Sequence, residues 1–533
     1  MKFRPLRHAA DALWEALGRA LLALVGLLAL LGGSLALAAP TAQQQQPQAA
    51  YAVYLPMVRG GGARSPNQPG PAPSPSPSPA PPTQRGARFL EPQIKHASAD
   101  VALDSAGGMH AAYAHFIPSA ENPRAVYTFC KAGPSGCAGA SAWQSVALGE
   151  RVREVQLELT ATGAPRLLIV SDDPDRGGLE HHYAACDQGC ASAGAWTSTL
   201  VVTSYNASEI TEQDQPQRSF ALDPQGRPAF LYNDRNYQYA EPDLYGAFYA
   251  SCAARCTEAG SWSTTGLSRI HRGYLTFDYE KLNYQALRFT PDGEARFVAR
   301  VYALNEDGSN AENGLYYYGC DAGCADETNW RRRFLVPTGG GAVPHPSWDL
   351  AFDGAGRPRV ALFLGDSITP ADFVNQLLYI ACDAADCLAP GDTWSFSQVL
   401  KVKGAGQGAD VEVDRQGRPR IAWIDPSGDL GYAWCDAACA SDTATWRQQI
   451  VEREAQLREA NPQAIPGHCR NDLWNGLAPA LALDGAGNPR IAYDVAVSAD
   501  CYYDTTPGDP SDPPTVRFEP IWRGVRLTYF PQP

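Results

Sequence analysis

The stretch Phe220-Ala-Leu-Asp-Pro-Gln-Gly-Arg-Pro-Ala-Phe-Leu-Tyr232 decides the reading of this chain. A short apolar run ends at Asp223. A D-x-x-G turn follows, and a second β-rich run leaves it. The glycine supplies the positive φ that so tight a hairpin turn needs. The segment recurs with variation as ALDSAGGMHAAY from Ala102, ELTATGAPRLLI from Glu158 and RFTPDGEARFVA from Arg288. It recurs again as AFDGAGRPRVAL from Ala351, EVDRQGRPRIAW from Glu412 and ALDGAGNPRIAY from Ala482. The turn glycines Gly107, Gly163, Gly226, Gly293, Gly356, Gly417 and Gly487 lie about 63 residues apart on average, a period that marks a repeat architecture.

Around each turn the layout is the same. A third run leads to a cysteine pair, as in Leu315-Tyr-Tyr-Tyr-Gly-Cys320. A tryptophan stands 10 to 13 residues after the first cysteine, at Trp143, Trp196, Trp262, Trp330, Trp394 and Trp446, and opens a fourth run. Four short strands per unit, seven units and almost no amphipathic helical pattern predict an all-β, seven-bladed β-propeller of four-stranded antiparallel blades. Solenoid repeats are usually shorter, and a lone four-stranded unit cannot bury both faces. The repeats fall near 99–150, 151–204, 218–269, 284–337, 347–401, 408–454 and 478–533. The seventh stops after its third run, Val525-Arg-Leu-Thr-Tyr-Phe530. Ring closure by a strand at 87–92 would supply the missing edge.

Ahead of this body, residues 1–38 read as a signal peptide or a membrane anchor. Lys2, Arg4 and Arg7 precede an apolar run from Leu21 to Leu37, and Ala36-Leu-Ala38 has the form of a cleavage site. Residues 39–86 form a tether rich in Gln, Pro and Ser, unable to build a core. Export makes cystines the expected state of the 14 cysteines. Six pairs recur in register: Cys130/Cys137, Cys186/Cys190, Cys252/Cys256, Cys320/Cys324, Cys382/Cys387 and Cys435/Cys439. Each is expected to clamp the turn between strands three and four. A zinc site would need four ligands, and no second pair or repeating His accompanies them. Cys469 and Cys501 stand out of register and are expected to bridge two neighbouring loops.

The net charge of −14 excludes a nucleic-acid partner, which needs clustered Lys and Arg. Seven basic and two acidic residues precede residue 86, so the body itself stands near −19. The turns and cystines occupy one face, which leaves the long connections, such as Ser204–Arg218, Arg269–Tyr284, Val301–Gly314, Arg453–Leu477 and Asp494–Pro520, on the other. Long loops on a rigid scaffold commonly carry function. Tyr237, Tyr239, Tyr279 and Trp474 lie there and suit stacking on a sugar face or anchoring a protein. Asp172, Asp234, Asp366, Asp425 and Asp494, with His115, stand where strand two leaves the sheet near the central channel. Such a carboxylate ring suits Ca²⁺, a glycosidase acid pair, or turn capping. No catalytic motif of the G-x-S-x-G, H-E-x-x-H or P-loop type is present.

Phe289-Thr-Pro-Asp-Gly293 resembles the F-S-P-D-G turn of WD40 repeats, without that family's Gly-His and Trp-Asp marks. The D-x-x-G turns also resemble the Asp-box of sialidase-like propellers, without the Trp after the Gly. This resemblance, over residues 87–533, implies architecture and no particular activity. The expectation is an extracellular or cell-surface module without a cofactor, binding a glycan, peptide or protein through its long-loop face. The alternative is a glycan-active hydrolase or lyase with carboxylates at the channel mouth.

Overall fold

In the computed structural model the described residues run from Gly86 to Gln532. The gaps are 92–98, 116–122, 132–136, 138–139, 176, 205–217, 235–243, 273–276, 305–309, 338–346, 367–373, 385, 404–407, 426, 461–464 and 504–514. The signal region, nearly all of the tether, Tyr237 and Tyr239 therefore lie outside the described residues.

Seven four-stranded antiparallel blades follow one another along the chain, five as separate sheets and two joined in one. Blade one comprises Ala99–Leu103, Met109–His115, Arg124–Cys130 and Gln144–Leu148, from the inner strand outward. Blade two runs Val152–Leu159, Pro165–Asp172, Leu179–Ala185 and Thr197–Ser204, and blade three Phe220–Leu222, Pro228–Asn233, Leu244–Cys252 and Trp262–Arg272. Blade four is Phe277–Phe289, Ala295–Leu304, Asn310–Cys320 and Arg331–Pro337; blade five is Ser347–Phe352, Pro358–Asp366, Val374–Cys382 and Trp394–Lys403. Blade six is Ala409–Val413, Pro419–Ile424, Leu430–Trp434 and Arg447–Glu452. Blade seven takes three strands from the C-terminus, Cys469–Leu483, Pro489–Tyr503 and Thr515–Tyr529. Its outer strand is Gly86–Glu91, paired antiparallel with Thr515–Tyr529. Each inner strand packs against the next, and Cys469–Leu483 packs against both Ala409–Val413 and Ala99–Leu103, which closes the ring.

Three features of the repeat explain why these residues make these elements. In the turns, the glycine adopts φ between 75° and 86° in all seven blades, where a side chain would be strained. The turn aspartate accepts two backbone N–H groups, as Asp414 does from Gln416 at 2.9 Å and Arg418 at 3.0 Å. An arginine six residues on then ties the turn to the cystine. Arg420 donates to Asp414, to the Cys435 carbonyl and to Asp436; Arg359 does the same with Asp353, Cys382 and Asp383. The guanidinium reaches these acceptors from two nitrogens held in one plane, a fork that a lysine's single nitrogen does not offer.

The cystine turns are clamped by the recurrent tryptophan. Trp143, Trp196, Trp262, Trp330 and Trp394 each donate Nε1–H to the carbonyl of the second cysteine of their own blade, namely Cys137, Cys190, Cys256, Cys324 and Cys387. Trp446 reaches Cys439 through Ser397 Oγ instead. Five of the six rings also meet, edge-on, a buried tyrosine three residues before the first cysteine of the preceding blade. These pairs are Tyr127–Trp196, Tyr183–Trp262, Tyr249–Trp330, Tyr317–Trp394 and Tyr379–Trp446, with centroids 5.0–5.4 Å apart. Between the sheets lie apolar cores such as Val298, Leu315 and Tyr317 of blade four against Leu350, Val360 and Ile380 of blade five. Each such fully buried side chain contributes roughly 1.5–3 kcal/mol by area.

All seven expected disulfides are formed: Cys130–Cys137, Cys186–Cys190, Cys252–Cys256, Cys320–Cys324, Cys382–Cys387, Cys435–Cys439 and Cys469–Cys501. No described cysteine is free. In the first six the earlier cysteine ends or directly follows the third strand. The later one stands off the ladder, in the turn itself. There Cys137 and Cys387 are buried, while Cys190, Cys256, Cys324 and Cys439 are half-buried. A disulfide complement of this size points to an oxidising, extracellular environment. No described helix is long and apolar enough to cross a membrane.

Several expected loops are strand instead. Arg269–Tyr284 is largely a hairpin, in which Ile270 pairs with Tyr279 and Arg272 with Phe277, so blades three and four share one eight-stranded sheet. In blade seven the first three strands are 15 residues each, longer than in any other blade. Cys469 and Cys501 are thus not in two loops but directly opposite one another on paired strands. Asp494 likewise does not end its strand. It is buried in mid-ladder opposite Leu477 and Val525. Backbone amides beyond the blade find partners in the neighbouring strand, which favours extending the ladder over leaving a loop.

Candidate functional site in the central channel

Aligning the seven inner strands on the first residue of the turn separates two sets of channel positions. Four residues before the turn stand Asp100, Gln156, Ser219, Ala286, Asp349, Asp410 and Ala480. Two before it stand Ala102, Glu158, Ala221, Arg288, Ala351, Glu412 and Ala482. The first set staples blade to blade. The inner strand's outermost N–H groups have no further strand to pair with, and buried amides need acceptors. Asp100 accepts from Leu157 N–H at 2.8 Å, Gln156 from Phe220 at 2.8 Å and Asp349 from Val411 at 3.2 Å; Asp410 accepts from Leu481. In each case the donor belongs to the next blade.

Arg218, just ahead of the inner strand of blade three, reaches across the channel. Its Nη1 lies 2.6 Å from Asp410 and 3.9 Å from Asp349, and its Nη2 donates to the Pro479 carbonyl at 2.5 Å. One side chain of blade three thus engages blades five, six and seven. Arg288 Nη2 approaches Asp349 at 3.7 Å. Asp349 and Asp410 are fully buried and close enough for their charges to oppose each other, with Arg218 set against both. Burial raises the Asp410 carboxyl well above the carboxylate range. For Asp349, Arg218 and Arg288 outweigh burial and keep it below that range.

The second set lines a cavity of about 540 Å³, in the size range of small-molecule sites. Glu158, Arg288 and Glu412 project from alternate blades, and the alanines between them leave the room. Turn residues Asp223, Pro224, Thr290, Pro291 and Asp353 also line the cavity, so it extends to the turn face. Burial, reinforced by Asp100 and Glu412 and opposed chiefly by Arg288, pushes the Glu158 carboxyl up to about 7. Burial, opposed by Arg288 and reinforced by Asp349, does the same for Glu412, also to about 7. Burial works against the Arg288 charge, but Asp349, Glu158 and Glu412 outweigh it and raise its pKa.

Asp172, Asp234, Asp425, Asp494 and His115 are not among the residues that line this cavity. Asp172 ends its strand and pairs with Arg153. Asp425 caps its own turn, accepting from Ser427 N–H at 2.8 Å and Asp429 N–H at 3.0 Å. Asp234 follows the strand Pro228–Asn233, Asp366 ends Pro358–Asp366 and His115 ends Met109–His115, where burial lowers its pKa. Tyr279 and Trp474 lie within inner strands, of blades four and seven. The turn cystines, Cys137, Cys190, Cys256 and Cys387 among them, do not line the channel cavity. None of the singled-out acids joins a group of three possible metal ligands among the described residues. The one such group, His468 with Cys469 and Cys501, has its two sulfurs bonded to each other. The channel charges were missed because the sequence reading followed the ends of the second strands. Their signal was a charge two or four residues before the turn of an otherwise apolar inner strand.

No family model matches the chain, and no curated relative does. Among solved structures, an ulvan lyase of polysaccharide lyase family PL25 is 9% identical over 82% of this chain and 96% of its own, with a TM-score of 0.46. An α-L-arabinofuranosidase from Fusarium graminearum is 10% identical over 82% and 97%, with a TM-score of 0.37. The β-propeller domain of the Trilobed protease from Pyrococcus furiosus is 8% identical over 76% and 93%, with a TM-score of 0.36. Likeness of this degree carries no argument for substrate or activity. The seven-bladed ring rests on the strand pairing above.

Proposed function

We propose that this protein is an exported, surface-tethered or released propeller that binds carbohydrate in its central cavity. The observation that carries the reading is the convergence of Glu158, Arg288 and Glu412, at one register on alternate blades, on a single cavity. Carboxylates accept and guanidinium groups donate in pairs, which matches the hydroxyls of a sugar. The expected export segment and Pro-rich tether would hold such a body outside the cell. The test is a glycan array probed with the purified protein and with Glu158→Gln, Arg288→Gln and Glu412→Gln. Binding that survives all three substitutions would exclude the cavity.

A second reading, glycan cleavage at the same cavity, is favoured by one observation. Glu158 and Glu412 are both held near neutrality, so one can be protonated while the other is ionised. Acid–base cleavage of a glycosidic bond needs that division. Turnover on a panel of polysaccharides, lost in either glutamine variant, would establish it.

A further inference from the structure

We propose that the sugar taken by this cavity carries positive charge, as an amino sugar does. The proposal rests on the carbohydrate reading above. It follows from counting the charges that face the channel. Asp349 and Asp410 are engaged by Arg218, whose Nη1 lies 3.9 and 2.6 Å from them, so these three groups bring no surplus cation to the cavity. The turn carboxyls Asp223 and Asp353 are paired with Arg227 and with Arg357 and Arg359, which leaves Asp100, Glu158 and Glu412 against Arg288. Asp100 is built into the wall, accepting from Val101 at 2.9 Å and from Leu157 at 2.8 Å. Glu158 and Glu412 receive no hydrogen bond from any described residue, and both line the cavity.

The two glutamates are therefore groups without a hydrogen-bond donor among the described residues, in a cavity with more carboxyls than cations. Burial and mutual repulsion are relieved by taking up protons in the empty cavity, or by a cation placed between them. An ammonium group supplies that cation and three donors at once. A uronate sugar would set its carboxylate against two glutamates for one arginine. A neutral sugar gains nothing from the surplus.

An exchange of protons for the cation has a measurable consequence. Binding releases protons from Glu158 and Glu412, so affinity rises with pH as these carboxyls ionise. It falls again once the amine loses its own charge. The other charged groups around the pair are Asp100, bonded to Val101 and Leu157, Arg218 against Asp349 and Asp410, Arg288, and the turn carboxyls Asp223 and Asp353 with their arginines.

The experiment is titration calorimetry of the purified protein at neutral pH with four probes: glucosamine oligomers, their N-acetylated counterparts, galacturonate oligomers and calcium chloride. Repeating it in buffers of different ionisation enthalpy counts the protons. The expected result is binding of the glucosamine oligomer roughly tenfold or more tighter than its acetylated counterpart, about 1.4 kcal/mol, with proton release. Glu158→Gln/Glu412→Gln should abolish the preference without lowering Tm, since glutamine copies the protonated carboxyl. Equal binding of acetylated or galacturonate oligomers would overturn the charge assignment while leaving the carbohydrate reading intact. Binding of calcium alone, without the amino sugar, would also overturn it. Binding of no sugar at all would remove both. Proton release by the unsubstituted protein tests the inference even if the double variant fails to fold.

Discussion

Arg218 contributes more to this fold than its place at the edge of a short strand suggests. It crosses the channel, neutralises a buried carboxyl pair and caps the Pro479 carbonyl. Arg218→Ala would leave Asp410 buried without the cation 2.6 Å from it. Breaking a buried pair by removing one partner costs about 3–5 kcal/mol, and urea unfolding at neutral pH should show a loss of that size. Glu158 and Glu412 act in the opposite sense. Their folded pKa of about 7 exceeds the ordinary 4.5, so the native state holds protons that the unfolded chain has released at neutral pH. Their contribution to stability is complete below about pH 4.5 and is lost as pH rises to about 7. Thermal unfolding across that range should show the decline, and the double glutamine variant should flatten it.

At the scale of the element, the informative unit is the cystine turn with its tryptophan and the tyrosine of the preceding blade. The tryptophan holds its own turn through a hydrogen bond and its neighbour through an edge-on ring contact. Trp330→Phe keeps a ring near Tyr249 but leaves the Cys324 carbonyl without its 3.0 Å donor. A loss of about 1 kcal/mol is expected. Tyr317→Ala removes a fully buried ring between blades four and five and should cost about 3–5 kcal/mol, by analogy with Phe and Trp truncations. Replacing both Cys320 and Cys324 by serine frees a very short loop, and loop-entropy reasoning gives a loss of about 2 kcal/mol. Denaturant midpoints of the three variants would rank them in that order of damage, tyrosine first.

For the whole molecule, stability depends on closing the ring with a strand from the other end of the chain. Phe89 on that strand packs edge-on to Trp522 at 5.4 Å and lies under Arg526 at 4.6 Å. Arg526 in turn donates to Glu452 of blade six, which also accepts from Tyr493 at 2.5 Å. On the far side of the seam, Arg88 lies over Trp143 of blade one at 5.4 Å. A chain truncated through Glu91 loses the Phe89 and Arg88 contacts and exposes Val525–Tyr529 as an unpaired edge. Such edges template further pairing. Size-exclusion chromatography should therefore find the truncated protein in oligomers or aggregates.

Much of this was legible in the residues themselves. The D-x-x-G turns, the Cys–Trp spacing and the period of about 63 residues specify a four-stranded unit repeated seven times. Turn geometry and short disulfides are local, so sequence states them directly. The Y-x-x-C tyrosines and the arginine six residues past the turn were equally present, but their partners lie across a blade or in the next one. The candidate site was not legible for the same reason. Arg218, Asp349 and Asp410 are separated by up to 192 positions in the chain, and only closure of the ring brings one guanidinium against both carboxyls. Local chemistry, read from the sequence alone, determined the repeat, the turns and the cystines. Which charges meet in the channel was decided by the tertiary structure, because a ring sets distant inner strands face to face in a space where charge is poorly screened.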